Sequence, residues 1–90
     1  MSRAFVNEDA GGAIPRRDYH LPDRDDPDYD RASARVLLEA ARDGDTASAE
    51  DATGYRWGEP RLGRWVRELL ADAQRNGDER LEQLARRFLR

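Results

Sequence analysis

The stretch PRLGRWVRELLADAQRNGDERLEQLARRFLR, residues 60–90, decides the fold. Within it Leu62, Trp65, Val66, Leu69, Leu70 and Ala73 recur at steps of three and four residues, the apolar stripe of a 3.6-period helix. Asn76-Gly77 closes that helix, because both residues tolerate the left-handed backbone on which many helices end. Asp78 supplies the N-cap of a second helix, and Leu81, Leu84, Ala85, Phe88 and Leu89 repeat the spacing. So short a connection folds the two helices back on each other as an antiparallel hairpin. Leu69 and Leu84 are expected at its centre, and Trp65, on the stripe, in the core.

Working outward, a first helix is expected from Asp28 or Asp30, just after Pro27, with Tyr29, Ala32, Ser33, Val36, Leu37, Ala40 and Ala41 facing inward. Asp43-Gly44 ends it. A short helix follows from Thr46 to about Thr53, capped by Asp45 or Thr46 and stopped by Gly54. Its inner positions are mostly alanine, so it needs its neighbours to persist. Tyr55-Arg56-Trp57-Gly58-Glu59 reads as a loop, and Pro60 suits the first turn of the long helix. Gly63 in that turn costs ~1 kcal/mol relative to alanine and leaves room for another backbone to approach. No strand pattern and no internal repeat is present. The expected fold is all-α: a bundle of three main helices with a short fourth, over residues 28–90.

Residues 1–27 read as a flexible tail, with Gly11-Gly12, Pro15, Pro22 and Pro27 and few large apolar side chains. Such a segment buries too little surface to offset its ordering entropy. Phe5, Val6, Ile14, Tyr19 and Leu21 stand out in it. They are expected to dock on the helical domain or to anchor a partner, with Trp57 and Trp65 the nearest candidates for packing against Phe5.

Ninety residues suit one small domain. The absence of cysteine excludes disulfides, thiolate chemistry and Cys-type zinc sites. No apolar run approaches the ~20 residues of a membrane span, and the N-terminus does not read as a signal peptide, so a cytoplasmic protein is expected. All 16 basic residues are arginine, which follows from a composition rich in the residues that GC-rich codons supply. The charges are unevenly placed. Residues 1–59 hold 8 arginines against 14 carboxylates, a net of −6, whereas residues 60–90 hold 8 against 5, a net of +3. Such asymmetry marks either a nucleic-acid surface or two complementary segments.

Chemistry finds little support. Asp26, Asp28 and Asp30 occupy positions 1, 3 and 5 of a calcium-loop pattern, but Arg31 stands where glycine belongs and Leu37 where glutamate belongs. His20 is the only histidine, so no histidine-rich metal site forms. Ser33 and Ser48 lie on expected helices with no base near them in sequence, and no glycine-rich phosphate loop occurs. No catalytic, cofactor-binding or metal-ligating residue is assigned, and an enzyme ranks third among the readings.

Two constellations remain. Arg61, Arg64, Arg67, Arg75, Arg80, Arg86, Arg87 and Arg90 offer a nucleic-acid face, with Arg61, Arg64, Arg67, Arg86, Arg87 and Arg90 as its main candidates. Against it, Arg64 with Glu68 and Glu82 with Arg86 make the i,i+4 pairs of an ordinary solvated helix surface, and the net charge is −3. Tyr55 and Trp57 form the other constellation: Trp57 either caps the core or presents an anchor to a partner.

Ser2-Arg3-Ala4-Phe5-Val6-Asn7-Glu8-Asp9 resembles the opening of Gre-type bacterial transcription elongation factors. The likeness covers eight residues and stops at Asp9; the long coiled coil with its acidic tip and the C-terminal domain of that family have no counterpart. The resemblance therefore implies no transcript-cleavage activity, and at most a shared contact with RNA polymerase. The leading expectation is a non-enzymatic, cytoplasmic, bacterial protein-interaction or regulatory accessory module, a monomer or weak homodimer, whose partner-binding residues are Phe5, Val6, Tyr55 and Trp57.

Overall fold

The computed structural model describes residues 19–90. They form α1 (Tyr29–Arg42), α2 (Thr46–Thr53), a 3-10 turn (Pro60–Leu62), α3 (Gly63–Asn76) and α4 (Glu79–Phe88), with no strand among the described residues. The chain is an all-α bundle.

Each boundary has a local cause. Gly77 adopts φ +69° at the end of α3, and the Asp78 carboxylate accepts from the Leu81 amide at 3.1 Å to start α4. Gly54 takes the same left-handed conformation, φ +80°, at the end of α2. Pro60 opens a 3-10 turn ahead of α3 instead of the α-helix itself, and the Glu59 side chain caps that turn by accepting from the Arg61 amide at 3.2 Å. The α3–α4 hairpin is the pairing expected from residues 60–90, and α1 packs against both of its helices and against α2.

This central position widens the buried face of α1. Ala34 and Leu38, not assigned inward from the periodicity, are fully buried with Leu37, while Ala32 and Ala41 stay partly exposed. A helix flanked on several sides buries more than one stripe. Leu62, Val66, Ala73, Leu84, Ala85 and Phe88 complete the core from the hairpin. Leu69 is only partly buried, so the hairpin's interior is centred on Leu62, Val66 and Leu84 instead. Trp65 is also partly buried: its ring lies under the guanidinium of Arg64, 4.5 Å from the ring centre, with that of Arg31 at 5.7 Å. Gly63 is buried, but its nearest neighbours are the side chains of Arg67 and Leu89, and no second backbone approaches it.

Residues 19–27, expected as the end of the tail, make several contacts with the bundle. Tyr19 and Leu21 pack on the core, and the Tyr19 hydroxyl donates to Ser48 Oγ at 3.1 Å. The Arg24 guanidinium donates to the Thr53 carbonyl at 3.5 Å and sits 5.7 Å from the centre of the Tyr29 ring. Asp26 Oδ1 accepts from the Asp28 amide at 2.8 Å, an Asx turn that leads the chain into α1. Phe5, Val6 and Ile14 lie outside the described residues.

Candidate functional site

The loop between α2 and the 3-10 turn carries Tyr55 and Trp57, and hydrogen bonds hold it at each end. Thr53 Oγ1 donates to the Ala49 carbonyl at 2.8 Å and accepts from the Tyr55 amide at 3.1 Å. Glu50 Oε2, on α2, accepts from the Trp57 amide at 2.8 Å. Gly58, at φ +87°, turns the chain, and the Glu59 amide closes the turn on the Arg56 carbonyl at 3.1 Å. The two aromatic side chains are therefore fixed in place by backbone-directed bonds.

They point to different surroundings. The Tyr55 hydroxyl donates to Asp30 Oδ1 at 2.5 Å, and Asp30 Oδ2 lies 3.6 Å from the Arg61 guanidinium. The hydrogen bond to the Asp30 carboxylate, aided by partial burial and by the negative charge itself, holds the Tyr55 phenol above its usual value. Tyr55 thus straps the loop to α1, beside Tyr29 at a ring separation of 6.3 Å. Trp57 turns instead toward α4 and meets Phe88 edge to face, ring centres 4.9 Å apart. The sequence expectation for Trp57 is either a core cap or an anchor presented to a partner; the residue is partly buried and packs on Phe88.

Trp57 also lines a depression of about 240 Å³, together with Ala41, Thr46, Arg80, Leu84 and Arg87. Trp57, Leu84 and Ala41 are its apolar members. Its rim is cationic: Arg80 and Arg87 stand two helical turns apart on α4 with Leu84 between them, so all three share a face. Two other depressions are differently made. One of about 310 Å³ is walled by Glu50, Asp51 and Arg56 beside Tyr55. Another of about 240 Å³ lies under Gly58, Pro60 and Gly63, with Arg67 and Arg90 at its edge.

The C-terminal arginines do not form one strip. Arg61 pairs with Asp30, Arg75 with Asp72, and Arg86 with Glu82 at 2.8 Å, a contact that holds the Glu82 carboxyl below its usual range. Arg64 covers Trp65, and Glu68, its expected i,i+4 partner, sits 3.6 Å from Arg31 of α1 instead. Arg67, Arg80, Arg87 and Arg90 carry no ion pair among the described residues, and they fall in pairs at two separate depressions. The sequence singled out Trp57 and Arg87 but not Leu84 as a groove residue or Arg80 as its second rim charge. The shared spacing Arg80–Leu84–Arg87 was the available signal.

Compared with known proteins, the chain matches no family model, no curated protein and no solved structure.

Proposed function

We propose that this chain is a non-enzymatic protein-interaction module of the bacterial cytoplasm, regulatory or accessory in role, which contacts its partner through the groove beside Trp57. The supporting observation is a half-buried Trp57 that lines one depression together with Leu84, Ala41, Arg80 and Arg87. A pinned aromatic in a small apolar depression is the usual make-up of an interface anchor. Unpaired arginines at its edge favour a partner segment that combines an apolar side chain with carboxylates. The eight-residue resemblance at the N-terminus makes RNA polymerase one partner to look for.

Quantitative affinity capture tests this reading, with wild-type chain and the Arg80→Glu/Arg87→Glu variant as parallel baits. Both arginines are exposed, so the variant keeps its fold, which a melting curve verifies. A partner retained by the wild type, lost by this variant and retained by Arg64→Glu supports the groove. Capture indifferent to the groove charges rejects it.

The nucleic-acid reading rests on the same unpaired arginines, Arg67, Arg80, Arg87 and Arg90. Their division between two depressions and the net charge of −3 weigh against it. A salt titration separates the two: phosphate binding weakens log-linearly and steeply with salt, and an absence of binding to duplex or single strands at low salt removes this reading.

A further inference from the structure

We infer that the segment from Tyr19 to Arg24 is a strap that clamps α2 on the bundle and, through α2, sets the position of Trp57. As regulation of the groove, this rests on the reading of that groove as a partner surface. The strap itself stands on bonds between described residues.

The strap grips α2 at two places. In the first turn of the helix, Ser48 Oγ accepts from the Tyr19 hydroxyl at 3.1 Å. At its last residue, the Thr53 carbonyl accepts from the Arg24 guanidinium at 3.5 Å and from the Tyr29 hydroxyl of α1 at 2.7 Å. The last carbonyls of a helix have no partner within it, so donors from outside satisfy them. The Arg24 guanidinium also fills the space that a side chain on Gly54 would need. Between the two grips, Leu21 packs on the core, as the Tyr19 ring does. Among the described residues α2 packs against no helix but α1, which makes these contacts a large part of its hold.

The strap closes against strain. His20, exposed between Tyr19 and Leu21, stands at φ +56°, in the left-handed region that a side chain disfavours. Such a backbone persists where the contacts around it over-determine it. Here those contacts are the packed side chains on either side, and loss of their grip lets the strain relax.

α2 passes its position on to the groove. Glu50 lies between Ser48 and Thr53 in the helix, and its Oε2 accepts from the Trp57 amide at 2.8 Å. Thr46, the first residue of α2, lines the depression with Trp57. Release of the strap therefore loosens a wall residue and the bond that holds Trp57 in one event. The coupling is reciprocal: an occupant that displaces Trp57 or Thr46 favours the released strap, and release favours that occupant.

Amide hydrogen exchange of the full chain tests this, read at residues 50–54 of α2 and its cap, at Trp57, and at α3 and α4 as the reference. Tyr19→Phe/Arg24→Met removes both strap bonds to α2 while keeping the ring and most of the arginine's apolar stem. The expected result is exchange faster by about tenfold at residues 50–54 and at Trp57, with α3 and α4 unchanged. A second pair of variants reads the strain. Exchange at the same amides should be slower in His20→Gly than in His20→Val, because glycine accepts a positive φ and a β-branched residue does not. Unchanged exchange in the double variant overturns the proposal, as does an acceleration shared equally by α3 and α4. Faster exchange in α2 without any at Trp57 overturns the link to the groove, and equal exchange in the two His20 variants overturns the strained strap. No partner enters these measurements, so their failure leaves the capture experiment standing, and failure of capture leaves their result standing.

Discussion

The guanidinium of Arg42, the last residue of α1, donates to both carboxylate oxygens of Asp78, at 3.1 and 3.2 Å, while Asp78 caps α4. One side chain thus starts a helix and ties it to the end of another. The Leu81 amide foremost, and Arg42 after it, hold the Asp78 carboxyl below its usual range. A carboxyl held low in the folded state contributes stability that is present above its unfolded pKa, about 4, and is lost as pH falls through the folded value. Asp78→Asn keeps a capping oxygen but no charge. Its melting temperature should fall below that of the wild type at pH 7, and the gap should close as pH falls through the folded carboxyl's lowered value. Thermal melts across that range check this; a gap that does not vary with pH counts against the pairing.

Core truncations should rank by burial. Leu84→Ala, at a fully packed position, should lose ~2–5 kcal/mol, and Leu69→Ala, on the partly exposed flank of the same hairpin, clearly less. Denaturant titrations with a common slope make the comparison. Equal losses would mean that Leu69 is as deep as Leu84.

Ser33 is fully buried on α1, and its hydroxyl has no hydrogen-bond partner among the described residues. Leaving such a group unmet costs ~1–3 kcal/mol, whereas an apolar side chain of similar size avoids the cost. Ser33→Ala should accordingly be neutral or raise stability, by up to ~1 kcal/mol. A loss of stability would show that the hydroxyl is bonded in solution.

The alkaline side has its own test. The Tyr55 phenol, raised above its usual value near 10 by the bond to Asp30, contributes stability below that pH and loses it as pH rises through the folded value. Phenolate absorbance should show Tyr55 ionising late, and Asp30→Asn should bring it earlier. An unchanged titration in the variant would place the hydroxyl away from Asp30.

Helix positions were legible in the sequence because their ends are written locally. Gly54 and Gly77 stop helices by conformations open to few other residues, and Asp78 caps through an amide three residues away. What depends on distant chain was not legible. The burial of Ala34 and Leu38 follows from α1 lying against three other helices, which periodicity within α1 does not express. Trp65 shares the apolar stripe with Val66, yet Arg31, thirty-four residues earlier, helps cover its ring. The Tyr19–Ser48 and Arg24–Thr53 contacts likewise join segments 29 residues apart. At the site, Trp57 was visible as an aromatic in a loop. Its groove appeared only when α4 brought Leu84 and its two arginines alongside.

α2 is eight residues long, and among the described residues it packs against no helix but α1. Too short to persist alone, it is held by buried Ala49 and Thr53, by the Tyr29 hydroxyl on the Thr53 carbonyl at 2.7 Å, and by the bonds of Ser48 to Tyr19 and of Glu50 to Trp57. With two buried side chains of its own, it should be the element that opens first, while α1, α3 and α4 stay closed. Thr46 goes with it, and so does the Glu50 bond that fixes Trp57. The groove should then have one firm bank and one yielding bank, which faster amide hydrogen exchange in α2 than in α3 would show.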